Sequence, residues 1–242
     1  RSDTLVEQFR LPQIAMPKLE LPQAILEVLA EAEEKLAHRP KLLQLFKNCF
    51  PNTLETTTKL LPDGTTFVIT GDIPASWLRD SVEQVIQYVP LAKNDPDLQR
   101  IIGGLIKRHI QYVHVDPYAN AFNELANDWH WNTTDVTEMS PWVWERKFEI
   151  DSLCFVIRLA YTYWKDTGLT DFFDAGFKSA LRIIVDLFKR EQRHFEQSPY
   201  RFSRNNGIPE DSLRNSGLGM PVNYTGMIWS GFRSSDDACD FH

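Results

Sequence analysis

Cysteine is scarce in this chain. Cys49, Cys154 and Cys239 are three in 242 residues, odd in number and far apart. That excludes a disulfide framework and a cysteine-based metal site, and free thiols fit a reducing, cytoplasmic setting. Long apolar runs are also missing: the stretch from Arg182 to Lys189 is interrupted by charge, as are the others, so no segment reads as a bilayer span. The opening Arg1-Ser-Asp-Thr-Leu-Val-Glu lacks the apolar core of a secretory signal. No Lys/Arg-rich run is present either. With 26 basic against 33 acidic side chains the net charge is -7, so a nucleic-acid partner is not expected. There is no phosphate-binding glycine loop, no His-Glu-x-x-His helix and no Gly-x-Ser-x-Gly elbow. His109 and His114 have no further His or Cys beside them, so core or solvated roles are expected, and no metal or cofactor is implied.

What is present is a globular composition, 43% hydrophobic and 24% charged, long enough for one large domain spanning 1–242. After a proline-punctuated leader over 1–21, apolar residues from Ala24 to Leu36 recur at helical spacing, and Leu42–Phe46 suggests a second short helix ending before Pro51. Pro62-Asp63-Gly64, set in a β-branched stretch from 56 to 70, predicts a small β-hairpin. Four long helices are predicted over 76–91, 98–115, 148–165 and 172–195. They are joined in pairs at Asn94-Asp95-Pro96 and Gly168-Leu-Thr170, connections short enough to make helical hairpins. The segments 116–147 and 196 onwards are long, aromatic and polar, and read as loops that frame a site.

The seven tryptophans are informative by placement. Trp164 falls in a helical apolar stripe and is expected in the core. Trp77, Trp129, Trp131, Trp142, Trp144 and Trp229 lie among carboxylates, amides and arginines, company that suits a sugar ring stacked on indole with its hydroxyls held by polar groups. Four constellations carry that chemistry. They are Thr70-Gly-Asp-Ile-Pro-Ala-Ser-Trp77-Leu-Arg79-Asp80-Ser81, Asp116-Pro-Tyr-Ala-Asn120-Ala-Phe-Asn123, Trp144-Glu-Arg146-Lys-Phe-Glu149-Ile-Asp151-Ser-Leu-Cys154 and Trp229-Ser230-Gly-Phe-Arg233-Ser-Ser-Asp236-Asp237. Each has a plainer reading: Ser76 as a helix N-cap with Asp80 in the first turn, a turn at Asp116-Pro117, a solvated helix entrance at 145–151.

Taken in order, these four motifs resemble glycoside hydrolase family 125 from about residue 60 to the end. The resemblance implies a metal-independent, inverting exo-α-1,6-mannosidase acting on mannose-containing oligosaccharides. It implies an all-α toroid of the (α/α)6 barrel type, of which about the N-terminal half is present here with the leader packed on it. It also implies Asp151 as general acid, with Trp77, Arg79, Asp80, Asn120, Asn123, Arg146, Ser230 and Arg233 around the terminal mannose. Inversion needs a second carboxylate to activate water. The resemblance places that glutamate in the C-terminal half, so this chain alone is expected to be truncated and inactive on mannosides. An inverting phosphorylase on the same toroid and a non-catalytic glycan-binding module are the competing readings, and oligomeric state is left open.

Overall fold

The computed structural model describes residues 19–232 and 238–241. The protein is mostly helical, with short two- and three-stranded sheets between the helices. Helices α1 (Gln23–Lys35) and α2 (Pro40–Cys49) open the described chain, followed by the short α3 (Asn52–Thr56). Leu19 and Leu21 pack against the buried core beside α1, and 1–18 of the expected leader lie outside the described residues. Strands β1 (Thr58–Leu60) and β2 (Thr66–Val68) form the predicted hairpin in antiparallel register, Thr58 opposite Val68. Asp63 shapes its turn by accepting from the Thr65 backbone N–H at 2.9 Å.

The segment predicted as one helix over 76–91 is three elements. Ser76–Trp77 is a strand, β3; Leu78–Val85 is helix α4; and Ile86–Asn94 winds as a 3-10 helix. Pro90 is the cause of the change: it has no N–H for the carbonyl of Ile86, and its ring crowds that carbonyl in an α-helix. Helix α5 (Pro96–Val115) starts where Asp95 accepts from the backbone N–H groups of Asp97 and Leu98 at 3.0 and 2.9 Å. The other carboxylate oxygen of Asp95 accepts from Ala24 N at 2.8 Å, which ties the start of α1 to the start of α5.

The 116–147 segment is not a plain loop. It supplies β4 (Ala121–Phe122), β5 (Asp135–Val136) and β6 (Val143–Glu145), and β3, β4 and β6 make one antiparallel sheet. Helix α6 (Ile150–Thr167) follows, stopped by Gly168 in the left-handed conformation, whose N–H closes on Trp164 O at 2.8 Å. Helix α7 (Ala175–Glu191) is capped by Asp174, and a short α8 (His194–Gln197), β7 (Ser203–Arg204), β8 (Ser230–Phe232) and β9 (Ala238–Phe241) complete the described chain.

Two ion pairs fix the course of α4 and α6: Arg79 meets Asp151 near their starts, and Glu83 meets Arg158 further along both. The helices therefore run parallel, with their N-termini side by side. Helix α7, although joined to α6 by Gly168-Leu-Thr170, packs chiefly on α5. The hairpin expected from that short connection is thus a step between two layers, α4 with α6 and α5 with α7. Trp164 is 38% exposed, on a surface of α6 shared with Tyr161 and facing Phe173, and not in the core. No helix among the described residues is long and apolar enough to cross a membrane.

Gly104 on α5 lets the helix lie directly on β2. A methyl group there would overlap Thr66 Oγ1 and press on the Thr66 backbone nitrogen at 3.0 Å. Ala in place of Gly gains about 1 kcal/mol of helix propensity, but overpacking against backbone that cannot move aside costs about 1–3 kcal/mol. Gly104→Ala is expected to be destabilising, read as a lower urea midpoint with an unchanged slope.

Candidate active site

The N-terminal ends of α4 and α6 and the β3–β4–β6 sheet enclose an open cavity of about 970 Å³. Trp77, the last residue of β3, faces it directly before α4 begins, and Arg79 and Asp80 follow in the first turn. Ser76 is a strand residue and makes no cap, so of the plainer reading of this motif only the carboxylate of Asp80 in the first turn holds. Across the sheet, Trp77 is in register with Ala121 and Ala121 with Glu145. Asn120, one residue earlier, joins both sides: its Nδ2 donates to Glu145 Oε2 at 2.9 Å and its Oδ1 accepts from Lys147 N at 3.0 Å.

Arg79 is the centre of the charged wall. Its Nη1 lies 3.0 Å from Asp151 Oδ2 and 3.5 Å from Glu149 Oε2, while Nη2 reaches Asp80 Oδ2 at 3.4 Å. Burial works against this cation, but the Asp151 hydrogen bond and the nearby carboxylates outweigh it and raise its pKa. Glu149 stands at the N-cap position of α6, 5% exposed. Burial pushes its carboxyl up to about 8 against the pull of Arg79, with Asp151 and Glu145 adding like charge. The folded chain thus keeps a proton that an ordinary glutamate releases near 4.5. From this group, stability falls as pH rises between those two values. Asp151 sits in the first turn of α6, half-exposed, on the rim beside Arg79 and outside the cavity lining.

The structure brings together Trp77, Arg79, Asp80, Asn120 and, at the rim, Asp151. It sets three expected contacts apart. Asn123 is fully buried, its Nδ2 spent on the Trp129 and Pro141 carbonyls at 2.9 and 3.1 Å. Arg146 turns away to Asp116 at 2.6 Å and Thr137 at 2.9 Å, between the rings of Tyr118 and Tyr200. Ser230 Oγ accepts from Ile150 N at 3.2 Å and so holds the start of α6. These side chains are engaged by protein partners, apart from the buried Oδ1 of Asn123, which has none, and they brace the wall from behind. Arg233 lies outside the described residues.

Of the six tryptophans in polar company, Trp77 and Trp131 line the cavity. Trp144 and Trp229 are buried completely: Trp144 packs with Ala75 and Ala121, and Trp229 stacks on His194 at 3.4 Å. Trp129 leans on the Trp144 cluster and Trp142 on the main core. Polar neighbours in sequence did not keep these indoles at the site: Trp144 alternates with the cavity-lining Glu145 along β6 and points the other way, and Trp129, Trp142 and Trp229 lie outside the strands. His109 is buried against Ser81, with burial pulling its pKa down to about 3. The remaining lining was not singled out as substrate contacts. It includes Asn52 and Thr53 on α3, the turn from Thr70 to Ile73, and Glu83, Gln84, Glu145 and Lys147. Only the Asp72 turn and the 145–147 run lay inside quoted motifs; Asn52 and Thr53 carry no local signal.

Indole faces beside paired carboxyl and amide groups in one open cavity make this a carbohydrate-type site on a helical scaffold. The family model described as metal-independent alpha-mannosidase (GH125) matches residues 39–242. A solved Streptococcus pneumoniae structure, from work on metal-independent α-mannosidases, holds α-1,6-mannobiose in a non-productive complex. It superposes with a TM-score of 0.85 at 46% identity over 90% of this chain and 51% of that one. The Meiotically up-regulated gene 157 protein of Schizosaccharomyces pombe is 35% identical over 243 residues, 90% of this chain and 46% of that protein. This chain belongs to glycoside hydrolase family 125, the metal-independent α-mannosidases. It spans about half the length of these two relatives.

Proposed function

We propose that the full-length protein is an exo-acting α-1,6-mannosidase that hydrolyses terminal mannose with inversion, and that this chain supplies its acid half. The observation that carries the reading is the meeting of Arg79, Glu149 and Asp151 at the paired N-termini of α4 and α6, beside an indole-walled cavity. The α-1,6-mannobiose seen in the S. pneumoniae structure supports the substrate class. On this reading Asp151 protonates the departing glycosidic oxygen, and a glutamate outside the 242 residues activates water on the opposite face. On this reading the packed pairs α4 with α6 and α5 with α7 belong to the first part of an (α/α)6 ring, which their layered packing supports.

Trp77 and Trp131 offer faces for the C–H side of the sugar, while Asp80 and the amide of Asn120 offer hydroxyl partners. The cavity wall is acidic: Asp72, Asp80, Glu83 and Glu145 stand against Arg79 and Lys147, and Glu149 adds its charge only above about 8. Such a wall favours the positive charge that develops on the sugar in the transition state and repels phosphate, so hydrolysis is favoured over phosphorolysis.

Calorimetry of the 242-residue polypeptide with α-1,6-mannobiose tests the binding half. Saturable binding that Trp77→Ala weakens about tenfold, the loss of one stacking contact, is expected. Turnover by this polypeptide alone would overturn the assignment of the base to another segment, and phosphate-dependent release of mannose 1-phosphate would overturn hydrolysis.

A further inference from the structure

Of the three carboxyl groups that meet Arg79, one has no part in the chemistry above. Glu149 is two residues from Asp151, faces the cavity, and reaches the same Nη1 of Arg79. We infer that Glu149 is a positioning residue for the acid: the two carboxyl groups compete for a single guanidinium and hold one proton between them. The inference rests on the reading of Asp151 as the proton donor.

One cation cannot neutralise two carboxylates. When Glu149 takes Arg79, Asp151 is left without a counter-ion and keeps the proton, which is the reactive arrangement. When Asp151 takes Arg79, the proton resides on Glu149. The structure shows the guanidinium nearer Asp151, at 3.0 Å against 3.5 Å, the resting member of the pair. The elevated affinity of Glu149 for a proton agrees with this division. In the reaction the Asp151 O–H bond breaks and the O–H of the departing sugar forms, leaving both carboxylates to share Arg79 until solvent returns a proton. Among the described residues, the other charged groups acting on Glu149 are Glu145 and Lys147, from β6 and just after it, and Asp80 and Glu83 from α4 line the same cavity. Ser152 Oγ donates to Glu149 Oε2 at 3.4 Å, and β8 brings the Ser230 hydroxyl to Ile150 N and the Gly231 and Phe232 N–H groups to Phe148 O, just before α6.

Carboxyl carbon-13 NMR titration of the chain tests the coupling directly, with Glu149→Gln to assign the resonance. Asp151→Asn removes the competing charge and frees Arg79, so the Glu149 midpoint is expected to fall by about one pH unit; an unchanged midpoint overturns the inference. In the full-length protein, Glu149→Gln removes the rival for Arg79, which favours ionised Asp151. The alkaline limb of kcat/KM is then expected to move about one unit toward acid, whereas Glu149→Asp leaves it in place. A uniform loss of rate with an unmoved limb would mark Glu149 as merely structural. Full activity of Asp151→Asn would instead sink the acid assignment and leave the measured coupling of the two carboxyls standing.

Discussion

Asp151→Asn in the full-length protein is expected to lower kcat/KM on α-1,6-mannobiose by about 10³-fold, within the range general acid catalysis supplies. The amide matches the carboxyl in size and still hydrogen-bonds, so mannobiose affinity is expected to stay within a few fold of wild type. What is lost is the proton for the bridging oxygen, a need that depends on the leaving group. An alcohol leaves as a strong base and requires protonation, whereas a dinitrophenolate leaves unaided. The same substitution is therefore expected to cost no more than about tenfold on a dinitrophenyl α-mannoside. Equal losses on both substrates would show that Asp151 acts on binding or on the water side, and the donor would have to be sought elsewhere. Glu149 is the alternative the geometry offers, since it is the more buried of the two and retains its proton to about 8.

The parts of this protein that were legible in its sequence are those whose cause is local. The Asp95-Pro96 start of α5, the Gly168 stop of α6 and the Pro-Asp-Gly turn between β1 and β2 each rest on residues within a few positions of one another. The break at Ile86 was local too, but Pro90 lay in a run whose apolar spacing suits a helix, and periodicity carries no penalty for a missing N–H. The β3–β4–β6 sheet could not be read, because strands of two or three residues have too few positions to show alternation. That sheet decides which motif residues reach the cavity. Within the Asp116-to-Asn123 run, Asn120 faces Glu145 and the cavity, whereas Asn123 is spent on the carbonyls of Trp129 and Pro141. A motif names the stretch of chain that matters; partners brought from far along the chain decide which of its side chains are free to meet a ligand.

Arg204→Met is expected to have the largest effect on stability, and the reason lies behind the cavity wall. Arg204 joins β7 to β5 through two bonds to Asp135, Nε to Oδ1 at 2.5 Å and Nη2 to Oδ2 at 2.9 Å, with both side chains almost wholly buried. Its Nη2 also lies 3.6 Å from Glu145 Oε1. An exposed pair such as Lys35 with Glu31 contributes under about 1 kcal/mol, because water screens it. Removing one member of a buried pair costs about 3–5 kcal/mol, since the charge left behind is neither solvated nor met. A urea melt of Arg204→Met should show a loss of that size. The second half of the test is the double variant Arg204→Met with Asp135→Leu, which removes both charges and fills the space with apolar volume. It is expected to recover most of the loss, because a buried ion pair gains little over well-packed hydrophobic side chains. Glu145 keeps the Asn120 amide at 2.9 Å and Lys147 at 3.4 Å in either variant. Mannobiose binding should therefore survive in the double variant. If the double variant is no more stable than the single one, Arg204 is holding Glu145, and through it the cavity wall, by more than its bonds to Asp135.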